Sequence, residues 1–485
     1  MSGVKNPRET ALRILMDVES KKAYANLALS AALGANETGK LDRAFITELV
    51  YGTLRTLNTL DWALGKHLRR PLSGVTVPVR NILRLGAYQV LFMNRIPESA
   101  AVNEAVKLAR RYGHAGTVKF VNGVLRNLVR SGTELDYPDP GKEPVEYISL
   151  RHSHPQWLVR RWLKEYGFEA TEALCRVNNH PAPNTVRVNT LKTDTISLQN
   201  LLHEQGIATV KGAYADNCLH LDGFVSLGEI TQFKAGLFQA QDESSILVGQ
   251  ALCPEPGTRV IDVAAAPGGK STHLAQLMQN RGEIIALDIH EHKIKLIKEN
   301  CRRLGVKIVH PILADARKLP DQYLRKGELK ERGHTSACGS DSLVEECPQR
   351  MADYVLVDAP CSGLGVLRRR PDARWRKEET QIKELAELQA QILNAADRVL
   401  KPGGVLLYST CTITREENLG QVEAFLAKHS EYEPEPLIGL LPGELNRDNT
   451  MQKGYLQILP YVHDGLDGFF MARLRKKGNK EKGTH

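Results

Sequence analysis

From Asn6 to about Arg130 apolar side chains recur three or four positions apart, first Ala11, Leu12, Leu15 and Val18, then Phe45, Leu49 and Leu57. That spacing keeps one face of a helix apolar, and no alternating stretch interrupts it. A second run, Val79 to Asn94, carries Ile82, Leu83, Leu85, Leu91 and Phe92, and a third passes from Ala100 through Val106 to Tyr112. The pattern predicts an all-α bundle over residues 1–135. The segment DYPDPGKEP, Asp136 to Pro144, packs three Pro and one Gly into nine residues, so a domain boundary is expected there. Beyond it a helical piece around Trp157, Leu158 and Trp162 leads to Pro181 and Pro183. Thr185 to Lys192 then alternates as a strand does, which predicts a small α+β module over 145–240.

From Leu247 onward short β-branched runs alternate with helical ones. Arg259 to Val263, Glu283 to Leu287, Val306 to Pro311, Tyr354 to Val357 and Val405 to Tyr408 are the candidate strands. The clearest helix between them is Gln381 to Leu400, with Ile382, Leu385, Leu388, Ile392, Ala396 and Val399 in one stripe. Such alternation predicts a mostly parallel, doubly wound, Rossmann-like α/β domain over 241–475. Ligands of such sheets bind at the carboxyl ends of the strands. Lys326 to Arg350 is polar and aperiodic and reads as a surface insertion. Its His334, Cys338 and Cys347 match no standard zinc spacing, and no metal is expected. The lysine-rich end, 476–485, is expected to be disordered.

Composition narrows the partners. The chain of 485 residues has a formal net charge of +9, which favours a polyanion. Lys107, Arg110, Arg111, Lys119, Arg126 and Arg130 gather at the far end of the helical region against the lone Glu104, as an RNA contact or a solvated face. Eight Cys without a CxxC pair, and no signal-like apolar segment after Met1, point to free thiols in a reducing compartment. No apolar run approaches the roughly 20 residues of a membrane span, so a cytoplasmic protein without a membrane partner is expected.

Three motifs carry chemistry. VIDVAAAPGGKS, Val260 to Ser271, ends a strand in a loop of small residues before a helix. Ala264, Ala265, Ala266, Pro267, Gly268 and Gly269 let a ligand approach the main chain closely, although a plain tight turn has the same composition. The loop lacks the glycine spacing of a Walker A motif despite Lys270. Asp288 ends the next strand, where an acid can take both ribose hydroxyls, and Asp315 follows the third. Each is as common as a cap, but together they describe an adenosine-type cofactor across the sheet edge. VDAPCSG, Val357 to Gly363, and YSTCT, Tyr408 to Thr412, each place a thiol at a strand's carboxyl end. The other six cysteines read as small core residues.

DAPCSG, STCT and AAAPGGK resemble the signature motifs of the RNA cytosine-5 methyltransferases that use S-adenosyl-L-methionine, the RsmB/NOP class. RVNTLK (Arg187 to Lys192), FQAQDESS (Phe238 to Ser245) and a NusB-like helical region make nearly the whole chain similar to that class's RsmB/Sun/Fmu branch, bacterial 16S rRNA methyltransferases. The resemblance implies methylation at C5 of a specific cytosine, the one conventionally numbered 967, in 16S rRNA or an assembling small subunit, by a monomeric enzyme. It implies cofactor binding by Ala264 to Lys270, Asp288, Asp315 and Asp358. It implies Cys411 as the nucleophile that adds to C6, and Cys361 as the thiol that assists release. Asp358 is expected to face the pyrimidine N3 edge, bearing a proton if burial raises its pKa. LRRRPDARWRK, Leu367 to Lys377, interleaves cations with Trp375 and suits phosphate contact and base stacking, or else is a solvated loop. Leu364 stands where the class has Thr, and the interval from Asp315 to Asp358 is long. The same reaction on another rRNA or tRNA cytosine is the alternative. A noncatalytic RNA-binding or antitermination factor is a second, against which the two cysteines speak.

Overall fold

The computed structural model describes residues 6–34, 39–224, 226–319, 351–463 and 465–478. The expectations for the 326–350 insertion and the lysine-rich end fall almost wholly outside them. The chain forms two compact units, one of residues 1–182 with 367–379, the other of 183–366 with 380–485. The units divide at Ala182/Pro183, whereas the Pro-rich segment expected to mark a boundary lies inside the first unit.

The first unit is helical, as the three-and-four spacing requires. Its helices are Pro7–Ser20, Ala25–Gly34, Lys40–Arg55, Leu57–Gly65, Val77–Phe92, Glu98–Tyr112 and Ala115–Arg130, followed by Pro144–Arg151, Gln156–Tyr166 and Phe168–Val177. The first starts where the Asn6 side chain accepts from Arg8 N at 2.9 Å and Pro7 takes a position that needs no donor. Val77–Phe92 is the pivot, burying Ile82, Leu83, Leu85 and Ala87. Two glycines permit its close packing: a Cβ at Gly52 would lie 2.0 Å from the Tyr88 ring, and one at Gly86 2.6 Å from Leu125. Of the six cations noted above, Lys107 pairs with Glu104 at 2.6 Å and Arg111 with Glu9.

Residues 367–379 pack within this helical unit, which revises the reading of the basic stretch. Arg374 is fully buried and donates to Ser153 O at 3.1 Å, Asn178 O at 3.0 Å and Asn179 Oδ1 at 2.8 Å. Trp375 Nε1 donates to Leu54 O at 2.8 Å, and Arg376 donates to Lys22 O at 2.8 Å. These side chains satisfy internal carbonyls and are committed to the fold rather than presented to a phosphate; Arg370 remains exposed.

The second unit holds two sheets. The smaller is antiparallel, in the order β2-β3-β1-β4, from β1 (Asn184–Val188), β2 (Ala208–Lys211), β3 (Cys218–Asp222) and β4 (Phe238–Ala240), with the helix Thr195–His203. The larger contains β5 (Arg259–Asp262), β6 (Glu283–Asp288), β7 (Val309–Leu313), β8 (Ala352–Asp358), β9 (Leu400–Thr410), β10 (Tyr432–Pro434), β11 (Tyr455–Ile458) and β12 (Phe469–Lys476). Its order is β10-β12-β9-β8-β5-β6-β7, with β11 also on β12. The five strands β5 to β9 are parallel to one another, as alternation predicted. The antiparallel strands β10, β11 and β12 were not anticipated. Ile246, Leu274 and Ile297 cover one face of the sheet, and Ile392, Leu393, Val422 and Phe425 the other. The strand order reverses between β5 and β8, the crevice that such sheets offer to ligands.

Replacing Arg374 by Ala leaves two buried carbonyls and an amide oxygen without their donor. We expect urea unfolding of the full chain to show the helical unit weakened by about 3 kcal/mol, with earlier hydrogen exchange in Pro144–Val177. A change below 0.5 kcal/mol would refute the structural role given to this arginine.

Candidate active site

β5 ends at Asp262, fully buried, and the small-residue loop turns from there into the helix Gly269–Leu277. Ala265 N donates to Leu287 O at 2.8 Å, the Ala266–Pro267 peptide is cis, and Gly268 sits at φ +94°. Side chains rarely adopt that φ, and a Cβ there would also press on Ile297 at 3.2 Å. The helix begins without a side-chain cap, and an uncapped helix start is suited to an anion. Ser271 Oγ donates to Asp262 Oδ2 at 2.6 Å. Burial, with Asp358 adding to it, pushes the Asp262 carboxyl up to about 7 although the Ser271 bond opposes the shift.

Behind this loop stands Arg187, from β1. It is fully buried and donates to Gly269 O at 2.7 Å, Gln276 Oε1 at 2.9 Å, Thr272 Oγ1 at 3.1 Å and Gln241 Oε1. All four partners are uncharged, and burial pushes the guanidinium down to about 9. Asn189 continues the clamp, donating to Gly236 O at 2.7 Å and Leu304 O at 2.8 Å while accepting from Gln276 Nε2 at 2.8 Å. The RVNTLK motif thus braces the first turn of the loop's helix.

Asp288 and Asp315 lie at the carboxyl ends of β6 and β7. Asp288 is nearly buried, accepting from His290 N at 3.0 Å with Lys293 Nζ 3.8 Å away. Asp315 caps a short turn, accepting from Arg317 N at 3.0 Å and pairing with Arg317 Nη2 at 2.7 Å, contacts that hold it below the usual carboxylate range. A loop of small residues, an uncapped helix start and acids at two adjacent strand ends fit an adenosine-bearing cofactor. Asp315 would have to share its carboxylate with Arg317.

The thiols meet at the ends of β8 and β9, whose register sets Asp358 opposite Ser409. Cys361 Sγ lies 3.3 Å from Cys411 Sγ. Beside them Asp358 Oδ2 accepts from Lys270 Nζ at 2.7 Å, and its Oδ1 accepts from Ser409 Oγ at 3.0 Å. Burial would lower the Lys270 pKa, but Asp358 and then Cys411 outweigh it and the net shift is upward. Asp358, expected at the pyrimidine N3 edge, thus pairs with the Lys270 ammonium 2.7 Å away. The Cys361 thiol is pushed well up by its bond with the Cys411 sulfur, then by burial, then by the charges of Cys411 and Glu417.

Glu417 joins the two thiol loops. Fully buried, it accepts from Ser362 N at 2.7 Å and Gln389 Nε2 at 3.1 Å on Oε1, and from Ser362 Oγ at 2.5 Å and Thr414 Oγ1 at 2.7 Å on Oε2. Gly365 N donates to Cys411 O at 3.1 Å, and a Cβ at Gly365 would lie 2.0 Å from Gly468 O, so only glycine fits between the loops. Reading the sequence missed Arg187 as a clamp, Asp262, Ser409 and Glu417. Ser409 was within reach, inside a quoted motif, whereas Glu417 in TREEN looks like surface charge.

Among the described cysteines Cys175, Cys218 and Cys301 are buried, while Cys253 is exposed at φ +47°, against the expectation that it fills a core. Cys218, His220 and Glu243 lie close together, but Glu243 already accepts from the amides of Ala213, Tyr214 and Ala215. His334, Cys338 and Cys347 lie outside the described residues.

The chain matches three family models: 16S rRNA methyltransferase RsmB/F over residues 249–475, the NusB family over 5–130, and an RsmF/B-like ferredoxin-like domain over 154–228. It is 40% identical to the probable ribosomal RNA small subunit methyltransferase B of Bacillus subtilis, covering 97% of this chain and 99% of that protein. Identity to its Synechocystis namesake is 36%, over the same shares. The crystal structure of PH0851 superimposes with a TM-score of 0.78 at 28% identity, covering 98% of this chain and 99% of that one. NSun6 from Pyrococcus horikoshii with SFG gives 0.53 at 26% identity, covering 66% and 98%.

The buried Asp262 yields a pH test. Its folded pKa near 7 exceeds the ordinary 3.8 of an unfolded chain, so its ionisation opposes folding: the cost is absent below about pH 4, accrues up to 7 and is complete above. Asp262→Asn should gain in Tm over the wild type as pH rises through that window. A Tm difference independent of pH would contradict the burial argument.

Proposed function

The chain belongs to the 16S rRNA methyltransferase RsmB/F family, and on that premise we propose that it converts one cytosine of 16S rRNA, the one conventionally numbered 967, to 5-methylcytosine. The carrying observation is the pair of sulfurs 3.3 Å apart at the ends of two adjacent parallel strands. Cytosine C5 is a weak nucleophile, and a thiolate added to C6 pushes an electron pair onto C5. Cys411 forms that S–C6 bond. S-adenosyl-L-methionine, when bound, supplies the electrophilic methyl group. Ala264 to Lys270, Asp288, Asp315 and Asp358 would hold it. A base then takes the C5 proton, the electrons of that C–H bond restore the C5–C6 double bond, and the S–C6 bond breaks, returning its electrons to sulfur. Cys361 assists this release. The Lys270–Asp358 pair orients the pyrimidine edge, with Lys270 as the group that bears a proton there.

In this reading residues 1–135 contact RNA, Arg187 and Asn189 of the 145–240 module brace the cofactor loop and 241–475 carry the reaction. The protein works as a cytoplasmic monomer on free rRNA or the assembling small subunit. Among the described residues no helix is long and apolar enough to cross a membrane.

With rRNA from cells lacking the protein as substrate, Cys411→Ala should abolish methyl incorporation, a fall of at least a thousandfold. Cys361→Ala should accumulate a denaturation-resistant protein–RNA species. Wild-type turnover by Cys411→Ala would overturn the assignment of the nucleophile.

A further inference from the structure

Two thiols in contact cannot both ionise cheaply, so something must decide which of them is the thiolate. The titratable groups facing the pair are Lys270, Asp358, Tyr408 and Glu417, and they are arranged unevenly. Lys270, held by Asp358 at 2.7 Å, is the cation of the group, and the Cys411 charge is among the causes that raise its pKa. Glu417 is the anion on the Cys361 side, with its four donors, from Ser362, Gln389 and Thr414, all uncharged. Tyr408 OH donates to the Glu417 main-chain oxygen at 2.6 Å and does not neutralise the carboxylate. The Glu417 side chain reaches both loops: Ser362 follows Cys361 directly, Gln389 also donates to Pro360 O at 3.0 Å just before it, and Thr414 lies three residues beyond Cys411. Ser362 Oγ and Thr412 Oγ1 close the arrangement at 2.8 Å.

We propose that Glu417 is a positioning residue that fastens the Cys361 loop to the Cys411 loop and, through its buried negative charge, keeps Cys361 the protonated thiol and leaves Cys411 to be the thiolate. The proposal rests on the reading that Cys411 attacks and Cys361 assists release. The uneven field supplies what the matching surroundings of two thiols would not: a fixed division of labour between them. A Cys361 thiolate would compete for the ring carbon and would lack the proton expected of a releasing group.

Two variants separate charge from position. In Glu417→Gln the retained carbonyl still accepts from Ser362 N and Gln389, and the Ser362 and Thr414 hydroxyls reverse to accept from the new amide, so the contacts persist without the charge. Glu417→Ala removes both. In full-length protein carrying Cys411→Ser, iodoacetamide labelling of Cys361 followed by peptide mass spectrometry gives the pH midpoint of that thiol. The midpoint should fall by roughly one unit on adding Glu417→Gln. With Cys411 present, Glu417→Ala should lower kcat at least tenfold at unchanged KM for the methyl donor, and Glu417→Gln should recover part of the loss. An unmoved midpoint overturns the charge role. Wild-type kcat in Glu417→Ala, or a glutamine variant no better than alanine, overturns the positioning role. The labelling needs neither RNA nor turnover, so it still decides the matter should Cys411→Ala prove active and the nucleophile assignment fall.

Discussion

The register of β8 against β9 is the constraint on which the candidate centre depends. Asp358 lies opposite Ser409, and from that rung one chain runs three residues to Cys361 and the other two residues to Cys411. A one-residue slip would turn every side chain of one strand to the opposite face, carrying Asp358 away from Lys270 and burying its charge among Val355, Val357 and Leu406. Both strands are apolar on both faces, and Glu417 and Gly365 beyond them fasten the register. Cys361 and Cys411 therefore sit just past the ends of two paired central strands although they belong to loops.

Buried charge recurs in this molecule with neutral company. Arg187 and Arg374 are both fully buried, and each donates to carbonyl, amide or hydroxyl oxygens. Glu417 is the acidic counterpart. Such groups cost desolvation free energy and return geometric definition, since a planar guanidinium or carboxylate fixes several partners at once. Each spans segments far apart in sequence: Arg187 grips the loop helix, Arg374 ties the 153–179 region to 367–379, and Glu417 joins the two thiol loops.

The helical region and the five parallel strands were legible because their apolar spacing is local, and the thiol motifs were legible because short sequences carry them. The boundary at Ala182/Pro183 was not, because Asp136 to Pro144 has a linker's composition while its flanking helices still share one unit. Strands β10 to β12 escaped notice because pairing with β9 is a long-range event. The basic stretch misled for a similar reason: Arg374 and Trp375 look like a surface for a polyanion until the carbonyls they satisfy are found 196 to 321 residues upstream. Asp358 does end a strand, but its bond to Lys270 spans 88 positions, beyond the reach of a local pattern.

The excursion of residues 367–379 into the helical unit bears on how such a chain can be assembled or divided. The methyltransferase unit is written in two pieces, 183–366 and 380–485, with a stretch of the other unit between them. No single cut releases it intact. A fragment beginning at residue 183 would carry Arg374 and Trp375 without the carbonyls of Ser153, Asn178 and Leu54 to which they donate. Joining the two units end to end would therefore not reproduce this chain's order, because residues 367–379 of one lie between two pieces of the other.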